Sequence, residues 1–166
     1  MIRKVVLVLC VFLGSTGAWA QAPTYAYSDS QLRWSEVDCH VEGGMVRKGN
    51  NWRGKVEYTV RGEKIFAGFS SSSFDLAYTL RDGKLSIGDS FFTDAISYSM
   101  VENRIYVGDS YFPLDLAYTI SPDGMNRGVM CVYKGDSISP FDVVAYLQGV
   151  PTQTEIIALL LTMGLL

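Results

Sequence analysis

The sequence is poor in the residues that most protein chemistry needs. It has one histidine, His40, and three cysteines, none in a Cys-x-x-Cys spacing, so no metal-binding or redox constellation is indicated. No Gly-x-Ser-x-Gly run occurs, which excludes the nucleophile elbow of an α/β-hydrolase. Basic charge is scarce. The chain carries 14 Lys+Arg against 17 Asp+Glu, and without Arg3 and Lys4 in the leader the balance is 12 against 17, or −5. Nucleic-acid binders show the opposite balance. No apolar run reaches the ~18 residues of a membrane-spanning helix. The expectation is a chain with no catalytic residues, no metal, no cofactor and no nucleic-acid partner.

Other residues are plentiful. Ten tyrosines, eight phenylalanines and only 19% charged residues describe a chain that folds. Sixteen glycines among scattered turn residues point to strands and tight turns. Residues 1–20 have the layout of a secretory leader: Arg3 and Lys4, an apolar stretch from Val5 to Leu13, and a small-x-small site at Ala18-Trp19-Ala20. This predicts export to the periplasm, the cell surface or the medium. Cys39 and Cys131 then remain, and two cysteines in an exported protein predict one disulfide. It would close a loop of about 90 residues, worth up to ~4 kcal/mol.

The main signal is a 20-residue repeat. Tyr58, Tyr78, Tyr98 and Tyr118 recur at that spacing, as do Gly68, Gly88, Gly108 and Gly128. Thr59, Thr79, Ser99 and Thr119 hold the same register. Asp75-Leu76-Ala77-Tyr78-Thr79-Leu80 returns as Asp115-Leu116-Ala117-Tyr118-Thr119-Ile120. Each unit reads as a β-hairpin. With a turn at Asp82-Gly83, Leu80 faces Leu85, Tyr78 faces Ile87 and Phe74 faces Phe91, all on one apolar side. Gly-Asp-Ser occurs at 88–90 and 108–110, mid-chain on hairpins, and reads as part of the repeat. Its aspartates, Asp89 and Asp109, fall on the apolar side unless a bulge at the preceding glycine turns them outward. The reading is an all-β fold: an antiparallel meander of hairpin repeats, about eight to ten strands, closing into a small barrel or curled sheet. A β-solenoid is the rival, disfavoured because it would stack Asp89 on Asp109.

The C-terminal end reads differently. Ser139-Pro140-Phe141-Asp142 looks like a helix start running to Gly149. Thr152-Gln153-Thr154-Glu155 repeats the capping pattern before apolar residues from Ile156 to Leu166. A helix apolar all round must be buried in protein or in lipid. The organisation expected is a leader at 1–20, a hairpin-repeat domain at 21–136 and a C-terminal helical segment at 137–166. Val150-Pro151-Thr152-Gln153-Thr154-Glu155 followed by Ile156-Ile157-Ala158-Leu159-Leu160-Leu161 resembles the IPTL-type C-terminal sorting tails of bacterial surface proteins. That resemblance covers residues 150–166. It implies handling at the cell envelope, with membrane contact through Ile156 to Leu166, and implies nothing about the body of the chain.

Two functions follow as expectations. The first is an exported, non-catalytic binding or interaction protein of the bacterial envelope, with a protein or envelope partner. The second is a calycin-like barrel holding a small apolar ligand. The candidate contact residues are Tyr58, Tyr78, Tyr98 and Tyr118 on one face, and Phe92, Tyr106 and Phe112 on the other. A filled interior with exposed aromatics favours the first; an inner cavity of several hundred Å³ favours the second.

Overall fold

The computed structural model describes residues 21–90 and 92–166; the leader at 1–20 and Phe91 lie outside the described residues. Twelve antiparallel strands close into a barrel in simple chain order. They are β1 (Thr24–Tyr27), β2 (Cys39–Glu42), β3 (Met45–Lys48), β4 (Val56–Arg61), β5 (Lys64–Ala67) and β6 (Leu76–Arg81), followed by β7 (Lys84–Ile87), β8 (Ile96–Val101), β9 (Arg104–Val107), β10 (Leu116–Pro122), β11 (Val129–Lys134) and β12 (Val143–Gln148). β1 pairs with both β2 and β12, which joins the two ends of the meander. Five hairpins come from consecutive strands and the sixth from β12 with β1.

The expected registers hold inside the sheet. Leu80 lies opposite Leu85 and Tyr78 opposite Ile87; Met100 lies opposite Ile105 and Tyr98 opposite Val107. Asp82 and Gly83 both have positive φ, +49° and +74°, the mirror-image turn that suits strand twist. A Cβ at Gly83 would come within 2.3 Å of the Met100 carbonyl, so this turn lies tight against the next hairpin, where Met100 N–H donates to the Gly83 carbonyl at 2.6 Å.

The strands are more numerous and shorter than expected, because each hairpin ends earlier. At Gly88, with φ +63°, the chain leaves the sheet. The expected Phe74–Phe91 facing pair is not in the ladder, which stops at Ile87, and Phe74 lies instead in a 3-10 turn, Ser73–Asp75. Equivalent turns follow at Thr93–Ala95, Pro113–Asp115 and Pro140–Asp142. The connecting loops double back along the outer wall. Asp89 reaches Lys64 at 3.3 Å and Arg81 at 3.7 Å on the preceding strands; Asp109 reaches Lys84 at 2.7 Å; Asp136 reaches Arg104 at 2.9 Å. The aspartates of the two Gly-Asp-Ser copies are therefore outside the barrel, turned there by the glycine before them.

The threonine row is buried too. Thr59, Thr79 and Ser99 are on the outer wall beneath these loops. Each donates to the carbonyl of the glycine nine residues on, at 2.7, 2.6 and 2.7 Å, and Thr119 does the same to Gly135 at 2.7 Å. The row that recurs every 20 residues is a set of pins holding each loop to its hairpin.

The interior is filled by the C-terminal helix. α1 (Gln153–Met163) starts at a full capping box between Thr152 and Glu155, as the sequence predicts. Ile157, Ala158, Leu159 and Leu160 have no exposed surface and pack with Val46, Ile65, Leu85, Ile105, Val132 and Leu147 from around the barrel. The requirement that an all-apolar helix be buried is met by the lumen. No helix among the described residues is long and apolar enough to cross a membrane.

Two expectations at this end are corrected. The helix expected from Ser139 to Gly149 is one 3-10 turn followed by strand β12, so the barrel continues past 136 to Gln148. Alternation explains it: Ala145 and Leu147 point into the core, a period of two. The Cys39–Cys131 disulfide is not formed; both thiols are free and buried. Cys39 belongs to the inner core, its Sγ 3.7 Å from the Leu159 carbonyl. Cys131 lines an outer pocket with Tyr133 and Tyr146. The two thiols are on opposite faces of the wall.

Candidate functional site

In this meander the short turns gather at one end of the barrel and the long loops at the other. The end of the long loops collects most of the candidate residues. Tyr58, Tyr78, Tyr98 and Tyr118 sit there, half-buried, one on the first strand of each of four hairpins, packed on the core edge. Tyr58 and Tyr78 meet edge to face at 6.5 Å. α1 enters from the turn end and delivers its last residues here: the Tyr118 hydroxyl donates to the Leu165 carbonyl at 2.8 Å, and Leu161, Met163, Leu165 and Leu166 are half-buried beside the tyrosines. Ile87 and Val107, opposite Tyr78 and Tyr98, are exposed. The mouth is thus closed by an apolar plate, part barrel and part helix end.

Burial pushes the Tyr58 hydroxyl above its ordinary range, with Tyr78 and Glu57 adding to the effect. Burial does the same for Tyr118, assisted by Tyr98. Both hydroxyls remain protonated, neutral donors at physiological pH.

Around the mouth each loop carries exposed apolar side chains. Phe74, Leu114 and Phe141 occupy equivalent places in their 3-10 turns and are 97%, 98% and 97% exposed. Phe92 and Phe112 cap two of these turns and are also exposed. The loops that present them are rigidly built. Ser70 donates to Asp75 at 2.6 Å and Ser137 to Asp142 at 2.6 Å, and Ser110 donates to Asp115. The serine of the second Gly-Asp-Ser is therefore a loop staple. Large, fully exposed apolar residues on pinned loops make this end the candidate surface.

Six of the seven candidate contact residues are at this end and accessible. Tyr106 is not: it is buried on the outer wall, opposite Ser99, under Tyr111 at 6.1 Å. Sequence reasoning missed Phe74, Leu114 and Phe141 as surface groups, because it carried the strands through the loops. It also passed over Trp34 and Trp52, which line a cleft on the wall beside β1 and β2. The signal was available: both fall where the 20-residue register breaks. Of Ile156 to Leu166, only the last residues reach the surface; Ile156 to Leu160 are buried within the barrel. Among the described residues, no group of three or more His, Cys, Asp or Glu side chains is placed to hold a metal ion.

The profile of the family described as 6-fold beta flower protein matches residues 27–130. No curated protein matches the chain. An X-ray structure of a protein from Arabidopsis thaliana is similar at 15% identity, covering 87% of this chain and 90% of that one, with a TM-score of 0.33.

Proposed function

We propose that this chain, which belongs to the 6-fold beta flower family, is an exported, non-catalytic interaction protein of the bacterial envelope that docks a protein partner with the loop end of its barrel. One observation carries the reading: the barrel is filled by its own helix, while Phe74, Leu114 and Phe141 stand almost fully exposed on equivalent loops. A filled lumen leaves the core nothing to carry. Exposed aromatic and aliphatic anchors on equivalent loops have the make-up of an interface core. Export, and with it a place at the envelope, rests on the leader pattern of residues 1–20.

The test is site-specific photo-crosslinking in the producing cell. A photoreactive residue at Leu114 should give a discrete adduct of one mass in the envelope fraction, lost in the Phe74→Ser, Phe141→Ser background. The same residue at Glu63, at the turn end, should give none. Equal adducts from both ends, or none from either, would overturn the proposal.

A further inference from the structure

The wall between the first two long loops holds a second site, independent of the loop-end surface. Tyr25, Trp34, His40, Glu42, Asn50 and Trp52 line a cleft of about 410 Å³, within the ~300–1,000 Å³ usual for small-molecule sites. Both tryptophans among the described residues are in it, 54% and 63% exposed. Two exposed indoles in one cleft form an apolar platform whose N–H ends stay polar. The cleft is held in shape without a ligand. Trp34 stands edge-on to Tyr25 at 5.0 Å. Asn50 Nδ2 donates to the Trp34 carbonyl at 2.8 Å, tying together the two loops that carry the indoles. Asn51 accepts from Arg53 N–H at 3.0 Å, fixing the turn at Trp52.

We infer that this cleft binds a neutral saccharide by stacking pyranose rings on Trp34 and Trp52. The polar lining selects the class. His40 is buried in the cleft wall, its Nδ1 spent on the Gly49 carbonyl at 2.6 Å, so the Asn50 side-chain carbonyl is one acceptor the lining offers. The Glu42 carboxylate is a second acceptor. The ligand must therefore be rich in O–H or N–H donors and still present apolar faces to indole. Arg53 lies over one face of Trp52, at 4.4 Å from the ring centroid; the ring is still 63% exposed, leaving the other face for stacking, and the guanidinium charge beside the site disfavours a cation. An anion is disfavoured by Glu42. A proline-rich peptide, which also favours aromatic grooves, offers too few donors for these acceptors. A sugar ring meets all the conditions.

The site reports on itself, since its indoles are the two tryptophans among the described residues. Titration of the full-length protein with chitotriose, maltotriose and cellotriose should give a saturable shift in tryptophan emission with at least one of them. Trp34→Ala and Trp52→Ala should each weaken that affinity tenfold or more, Trp34→Phe should recover part of it, and melting temperature should stay near wild type because both rings are exposed. The inference is overturned if no trisaccharide shifts the emission up to about 10 mM, if choline or a decaproline peptide is bound instead, or if both alanine variants bind like wild type. None of these results bears on crosslinking at Leu114, so the two proposals stand or fall separately.

Discussion

At the scale of single residues, the repeated hydroxyls have the clearest role. Thr79 is buried and its donor goes to the Gly88 carbonyl. Thr79→Val keeps the shape and strands that carbonyl, which should cost ~1–3 kcal/mol in denaturant unfolding, while Thr79→Ser should recover most of it. Gly83 and Gly62 give a matched pair. Both have positive φ, but a Cβ meets the Met100 carbonyl at Gly83 and nothing within 4 Å at Gly62. Gly62→Ala should cost roughly 1–2 kcal/mol, the backbone penalty alone, and Gly83→Ala distinctly more in the same melts. Cys39 sets a pH limit. Burial pushes its thiol up to about 12, with Asp38 adding and Lys48 opposing. The folded state therefore holds that proton where the unfolded chain, near 9, releases it. Its contribution is complete below pH 9 and is lost as pH rises toward 12. Urea midpoints should fall steeply above pH 9, and Cys39→Ala should flatten that fall.

At the scale of elements, α1 holds the barrel open from within. Leu159 is fully buried against strands from several hairpins, so Leu159→Ala should cost about 2–5 kcal/mol. Thr152→Ala removes only the cap and should cost ~0.5–2 kcal/mol. The ion pairs between the loops and the outer wall, such as Asp109 with Lys84 of β7, are open to solvent and should contribute little; Asp109→Asn should leave the melting temperature nearly unchanged at 0.15 M salt. The hairpins themselves were legible because Tyr78, Leu80, Leu85 and Ile87 alternate around Asp82-Gly83 with nothing to contradict the period. The loops were not, because Phe74 and Phe91 continue the alternation. Only the positive-φ exit at Gly88 ends the strand, and its repetition at 68, 88 and 108 reads equally well as a bulge. The region from Ser139 misled in the other direction: serine, proline and an acidic residue start a 3-10 turn as readily as an α-helix.

At the scale of the whole molecule, closure joins chain ends that the sequence shows no reason to pair. β1 and β12 make the sixth hairpin from opposite ends of the chain, and neither carries the repeat motif strongly enough to be counted with the others. The same long-range assembly separates Cys39 from Cys131 across the wall, which linear spacing does not reveal. It also turns the tail from an apparent membrane or docking element into the core. The loop-end surface was half legible: the tyrosine ladder shows in the spacing, while the exposure of Phe74, Leu114 and Phe141 depends on where the strands stop.

The central claim is that the helix stays in the barrel and binding takes place outside. Amide hydrogen exchange along α1 tests it most directly. A permanent core predicts that the amides of Ile157 to Leu161 exchange only through global unfolding, with the same free energy as the barrel strands. If those amides exchange orders of magnitude faster than β6 and β8 under native conditions, the helix leaves the lumen, an inner cavity opens, and the account of a filled barrel with an external docking surface is wrong.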